Sequence, residues 1–204
     1  PMNGVLQQAD MALQQAKSAG GNTLRFFNVD MQTSVLERAS LEGDLHQALQ
    51  RQELALHYQV QVDHQGVTTG VEALLRWYHP QRGWVSPGTF IPLAEENGLI
   101  LPIGEWVLRT ACADALTWPA HLTVAVNLSP VQFRDARLAA TIRGILAETG
   151  LPGSRLEVEI TEGSLLQDEQ RTLAILRELR TLGIGLGGFD HLAGKAVSPR
   201  GLGG

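Results

Sequence analysis

The stretch Glu72-Ala73-Leu74-Leu75-Arg76-Trp77 decides how this chain folds. Side chains of a strand alternate between its faces with a period of two. Val71, Ala73 and Leu75 therefore share one face, and Glu72, Leu74 and Arg76 the other. The segment sets a carboxylate and a guanidinium on one side of an otherwise apolar strand. A carboxylate in such a run is costly to bury unless something pairs with it, typically a cation.

Outward from that strand, the pattern is the strand and helix rhythm of α/β folds. Leu54–Val62 reads as a strand, Asp63–Gly66 as a turn and Val67–Trp77 as the next strand. Ser86-Pro87 caps a helix through Glu96 that stops at Asn97-Gly98, and Ile103–Thr117 is another helix. Leu122–Leu128 is a buried strand. Ser129-Pro130 is expected to open a helix ending at Gly150, with Pro at its first position. Arg155–Thr161 is a strand, and Asp168 starts a helix carrying Leu173, Leu176, Leu179 and Leu182 that closes at Gly183. The predicted fold is α/β, the front part of a TIM-like (β/α) barrel.

Upstream, Leu6, Ala9, Leu13 and Ala16 recur at helical spacing over residues 5–18, and Thr23–Phe27 is a short strand candidate. Residues 30–51 form a second helical segment with Leu41, Leu45 and Leu49 four apart and Asp30 at its start. It reads as a linker helix packing on the domain that follows. Pro1 rather than Met begins the chain, which is expected to be a piece of a longer protein.

Composition sets milder bounds. With 204 residues, 44% hydrophobic and 18% charged, there is chain enough for one domain or one plus a fragment. A net charge of -5 argues against an electrostatic nucleic-acid binder. The single cysteine, Cys112, rules out an intramolecular disulfide and reads as a buried thiol in a reducing compartment. No apolar run reaches the length of a membrane span and no signal peptide is visible, so a cytoplasmic location is expected.

Three strands end in groups that a plain core would not choose. Glu72 lies near the end of one. Asn127 ends the second, on the face of Thr123 and Ala125, and Glu157, Glu159 and Thr161 share a face of the third. Singly, a Glu at a strand end is usually a solvated rim charge and an Asn there a turn former. At three successive strand ends of one α/β array they point to a site, because functional side chains of such barrels converge there. Oxygen ligands of this kind suit Mg²⁺ or Mn²⁺ rather than zinc.

Several motifs together resemble the EAL family of cyclic di-GMP phosphodiesterases. Leu56-His57-Tyr58-Gln59-Val60-Gln61-Val62-Asp63 is similar to the family's LxYQPQVD strand, with Val60 where Pro is usual. Glu72–Trp77 resembles the motif that names the family, and Pro87–Glu96 the helix after it. Val126-Asn127-Leu128-Ser129 and Glu159-Ile160-Thr161-Glu162 resemble the next two motifs. The resemblance implies Glu72, Asn127 and Glu159 as metal ligands within a catalytic set that includes Glu162. Arg76 would hold a substrate phosphate, Gln59 would line the nucleotide pocket and Glu162 would anchor a neighbouring loop. Two divalent ions, Mg²⁺ or Mn²⁺, would activate water to cut one phosphodiester of cyclic di-GMP, giving linear pGpG. Residues 12–22 are similar in part to the end of a GGDEF domain, with Gln14 and Gly21 departing from its pattern.

After Gly183 the family pattern runs to an Asp-Asp pair, whereas this chain reads Gly185-Leu186-Gly187-Gly188-Phe189-Asp190-His191. Asp190 is left as the candidate metal ligand there, and at least one carboxylate is lost. The expected organisation is a GGDEF remnant over 1–29, a linker helix over 30–53, the front of an EAL domain over 54–190 and an atypical tail over 191–204. Implied partners are cyclic di-GMP, a second copy in a homodimer, and upstream GGDEF and sensory domains, with no nucleic acid. A chain truncated in this way is expected to be inactive. The rival reading is a non-catalytic cyclic di-GMP-binding or protein-interaction module. Gly183, Gly185 and Gly188 fit a GxGxxG spacing, but they follow a helix and lack the dinucleotide-fold context. The six histidines show no metal-ligand spacing, and His79-Pro80 reads as a turn.

Overall fold

The computed structural model describes residues 29–160 and 169–187, with scattered positions between 6 and 27. It divides into two compact units, Pro1–Ala48 and Leu49–Gly204. In the first, helix α1 runs over Val29–Ala48, and Leu41, Leu45 and Ala48 are buried along one face. Of the helix expected over 5–18, the described positions 6, 8–10, 12, 13, 16 and 17 are helical. Leu24, Phe26 and Phe27, within the strand expected over 23–27, belong to neither helix nor strand.

The second unit is a six-stranded sheet. Strands β1 (Leu54–Val62), β2 (Thr68–His79), β4 (Thr123–Leu128), β5 (Leu156–Ile160) and β6 (Gly185–Gly187) follow one another across it, and β3 (Gly83–Val85) pairs with the end of β2. β1 and β3 run antiparallel to β2, while β2, β4, β5 and β6 are parallel neighbours. Among the described residues the sheet does not close, so the fold is a partial barrel.

Helices α2 (Pro87–Glu96), α3 (Ile100–Ala115), α4 (Leu138–Thr149) and α5 (Glu169–Thr181) alternate with the strands. α3 packs on β1, β2 and β4 and against α4, and α5 packs on β6. The apolar alternation explains the core: Ala73 and Trp77 of β2, Val124, Val126 and Leu128 of β4, and Leu156, Val158 and Ile160 of β5 are buried. Phe90 of α2 meets Trp77 edge to face, with ring centres 5.6 Å apart. Cys112 is buried within α3, and burial pushes its thiol pKa up to about 11.

One expected helix start is corrected. Ser129-Pro130 does not open a continuous helix; a single 3-10 turn at Gln132–Arg134 comes first, and α4 begins at Leu138. The Ser129 hydroxyl accepts from the Val131 amide and the Gln132 side chain accepts from the Ser129 amide, which hold the chain in a local loop. The stronger start signal is Asp135, whose carboxylate accepts from the Arg137 amide and guanidinium. Gly150 closes α4 as expected, in the left-handed region at φ 79°.

Candidate functional site

Register decides which side chains share a surface. Gln59 of β1 lies opposite Glu72 of β2, Glu72 opposite Ala125 of β4, and Ala125 opposite Glu157 of β5. Asn127 lies opposite Glu159, and Glu159 opposite Gly187 of β6. Alternation then places Gln59, Gln61, Glu72, Arg76, Asn127, Glu157 and Glu159 on the face away from the packed helices. That face would be the interior of a closed barrel.

Two contacts tie it together. The Asn127 amide donates to Glu72 Oε1 at 2.7 Å, and the Gln61 amide donates to Glu159 Oε1 at 3.2 Å. Burial raises the Glu159 pKa most, the Glu72 carboxylate raises it further, and the bond from Gln61 opposes both. Gly187 makes room for this crowding. A Cβ there would stand 2.7 Å from Glu157 Oε1 and 3.1 Å from Glu159 Cγ.

Glu72 accepts from the neutral Asn127 amide of the neighbouring strand, while the Arg76 guanidinium on its own strand donates elsewhere. The reason is geometric. Parallel pairing sets the end of β4 against β2 at this level, whereas Arg76 lies four residues, or about 13 Å, farther along the strand. Arg76 donates to the Leu75 carbonyl at 2.9 Å. It borders a largely apolar cavity of about 480 Å³ that Leu74, Ile91, Glu95 and Asn127 also line. Gln59 is exposed. Glu162 and Asp190 lie outside the described residues.

Glu157 and Gln61 were quoted in the sequence motifs without a role, although the same alternation puts both on this face. The loop after Asn127 carries contacts that spacing could not show. Ser129 Oγ donates to Glu95 Oε1 at 2.6 Å, and the Ser129 amide donates to Gln132 Oε1 at 2.9 Å. These bonds fix the end of β4 against the end of α2. His79 makes a turn as expected, its Nδ1 accepting from the amides of Gln81 and Arg82. Gly185–Gly187 is a strand, which is not the dinucleotide-binding turn.

The donor chemistry fits a hard divalent cation. Glu72, Glu159 and the Asn127 side-chain carbonyl are oxygen donors, and a bound cation would offset both the burial and the Glu72 repulsion that raise the Glu159 pKa. Among the described residues, no group of three or more His, Cys, Asp and Glu side chains could hold a metal ion. Glu72, Glu159 and Asn127 bring two carboxylates and an amide to this face.

Residues 42–189 match the family model described as EAL domain, and the chain belongs to that family. It is 44% identical over 183 residues to the bifunctional diguanylate cyclase/cyclic di-GMP phosphodiesterase MucR of Pseudomonas aeruginosa, covering 87% of this chain and 27% of that protein. It is 32% identical over 182 residues to the cyclic di-GMP phosphodiesterase PdeR of Escherichia coli, covering 88% and 28%. The solved structure of the PaMucR phosphodiesterase in complex with c-di-GMP superposes with a TM-score of 0.69 at 46% identity. That match covers 72% of this chain and 62% of the solved one. The chain thus spans well under a third of the length of these two curated relatives. Among the described residues, no helix is long and apolar enough to cross a membrane.

Proposed function

We propose that this chain is the front section of an EAL-type cyclic di-GMP phosphodiesterase, with cyclic di-GMP as its ligand. The observation that carries the reading is the joining of Glu72, Asn127 and Glu159 on one barrel face, with Arg76 farther along it. The PaMucR complex with c-di-GMP supports the ligand. Glu72, Asn127 and Glu159 would hold Mg²⁺ or Mn²⁺, with Asp190 as a further ligand. When bound, the ion supplies positive charge to the phosphodiester and lowers the pKa of a water that attacks it. Hydrolysis adds one water across one of the two phosphodiesters and yields linear pGpG.

The protein's own residues do the rest. Asn127 orients the Glu72 carboxylate, and Gln61 orients that of Glu159. Arg76 offers a planar donor fork suited to a phosphate, Gln59 lines the same face, and Glu162 would anchor a neighbouring loop. The parent protein, with upstream GGDEF and sensory domains and a second copy as dimer partner, belongs to the same reading.

A second reading is favoured by Phe189-Asp190, which offers one carboxylate where the family pattern has two. A short metal shell predicts weak turnover with binding retained, the behaviour of a cyclic di-GMP receptor. Incubation of the chain with cyclic di-GMP and Mg²⁺ or Mn²⁺, resolved by chromatography beside Glu72→Ala, separates the two. Linear pGpG that disappears in Glu72→Ala establishes the enzyme. Retained binding without product selects the receptor, and absence of both contradicts the proposal.

A further inference from the structure

Beyond Arg76 the same face carries three aromatic rings that the phosphodiesterase reading leaves without a role. Tyr78 and Trp84 are directly opposite each other in the β2–β3 hairpin, so both side chains lie on one face. Alternation from Arg76 to Tyr78 makes it the polar face, and His57, opposite Leu74, lies on it too. The Trp84 ring centre stands 5.3 Å from that of His57 and 5.2 Å from that of Tyr78. Both neighbours meet it nearly edge to face, at interplanar angles of 70° and 71°.

Trp84 is nonetheless 58% exposed and Tyr78 is 51% exposed, whereas Trp77 on the opposite face of β2 is fully buried. A single exposed ring is ordinary on a protein surface. This one borders a cavity of about 350 Å³ that it shares with Arg76, His57 and Pro87. A guanidinium and an accessible indole in one cavity match the two halves of a nucleotide. The first takes a phosphate, and the second offers a flat apolar face to a base. The ring contacts to His57 and Tyr78 hold the indole beside Arg76 while leaving more than half of it exposed to a base.

We propose that Trp84, restrained by His57 and Tyr78, is a stacking platform for one guanine of the cyclic dinucleotide whose phosphate rests on Arg76. This rests on the reading of the site as a cyclic di-GMP site. It adds a substrate-binding residue outside the metal-bearing strand ends. Because every base has a π-face, the platform contributes affinity and placement rather than choice of guanine.

The test is titration of the full chain with cyclic di-GMP in Mg²⁺, for the unaltered protein, Trp84→Leu and Trp84→Phe. Leucine keeps an apolar side chain and removes the aromatic face; phenylalanine keeps a smaller one. Stacking predicts that Trp84→Leu binds about tenfold more weakly or worse and that Trp84→Phe recovers most of the loss. Ligand-induced quenching of tryptophan fluorescence is expected to shrink in both, while the thermal midpoint stays unchanged. Equal affinity of Trp84→Leu and the unaltered chain overturns the platform and leaves the cyclic di-GMP reading standing. Equal losses in the leucine and phenylalanine variants with a lowered thermal midpoint also overturn it, by assigning Trp84 to folding. Failure of the unaltered chain to bind overturns the platform together with the reading beneath it.

Discussion

Glu159 carries a measurable consequence of its surroundings. Burial and the nearby Glu72 charge raise its pKa, so the folded chain keeps that proton to higher pH than the unfolded chain does. Between the ordinary carboxylate value of about 4.3 and the raised folded value, the folded state binds more protons. Stability contributed by the protonated form is present below that window and is lost as pH rises through it. In chelator, urea midpoints measured upward from about pH 4 are expected to fall across this range, and Glu159→Gln to flatten the slope. A slope untouched by the substitution would contradict the assignment. Glu72, Asn127 and Glu159 were legible in the sequence because strand alternation alone places each on a face. The direct hydrogen bond from Asn127 to Glu72 was not legible. It depends on how β2 and β4 align across an intervening pair of helices, and no local pattern encodes that register.

Trp77 shows how the elements hold this face in place. It is fully buried, and its indole N–H donates to Glu53 Oε2 at 3.0 Å. Glu53 is itself buried, with an Arg51 guanidinium nitrogen 4.0 Å from its other oxygen. The contact fastens the start of β1 to the end of β2, the strands that carry Gln59, Gln61, Glu72 and Arg76. Trp77→Phe removes the donor and leaves a buried carboxylate oxygen without it. The expected loss is about 2–4 kcal/mol in urea unfolding, since the unmade bond adds to a packing defect. A loss under about 0.5 kcal/mol would mean that water replaces the indole at Glu53. Most elements followed from periodicity and caps, including β1, α2 and the end of α4 at Gly150. The start of α4 did not. Ser129-Pro130 carries a good local start signal, yet the Ser129 side chain and amide are committed to Glu95, Val131 and Gln132. A local preference yielded to contacts made across the fold.

At the scale of the molecule, the sheet sorts its two faces by chemistry. One packs apolar side chains under α3, and the other gathers carboxylates, amides, Arg76 and aromatic rings along β1 to β5. The ligand proposed for this second face, cyclic di-GMP, has two phosphates and two bases. The face offers groups suited to each part: oxygen donors at the strand ends, a guanidinium beyond them, and an exposed indole past that. On the proposed function, this face binds cyclic di-GMP through Arg76. Isothermal titration of cyclic di-GMP into the chain in Mg²⁺, compared with Arg76→Ala, tests it most directly. Saturable binding that weakens at least about tenfold on loss of the charge-assisted phosphate contact is expected. Absence of saturable binding to the folded chain, or an affinity unchanged in Arg76→Ala, would contradict it.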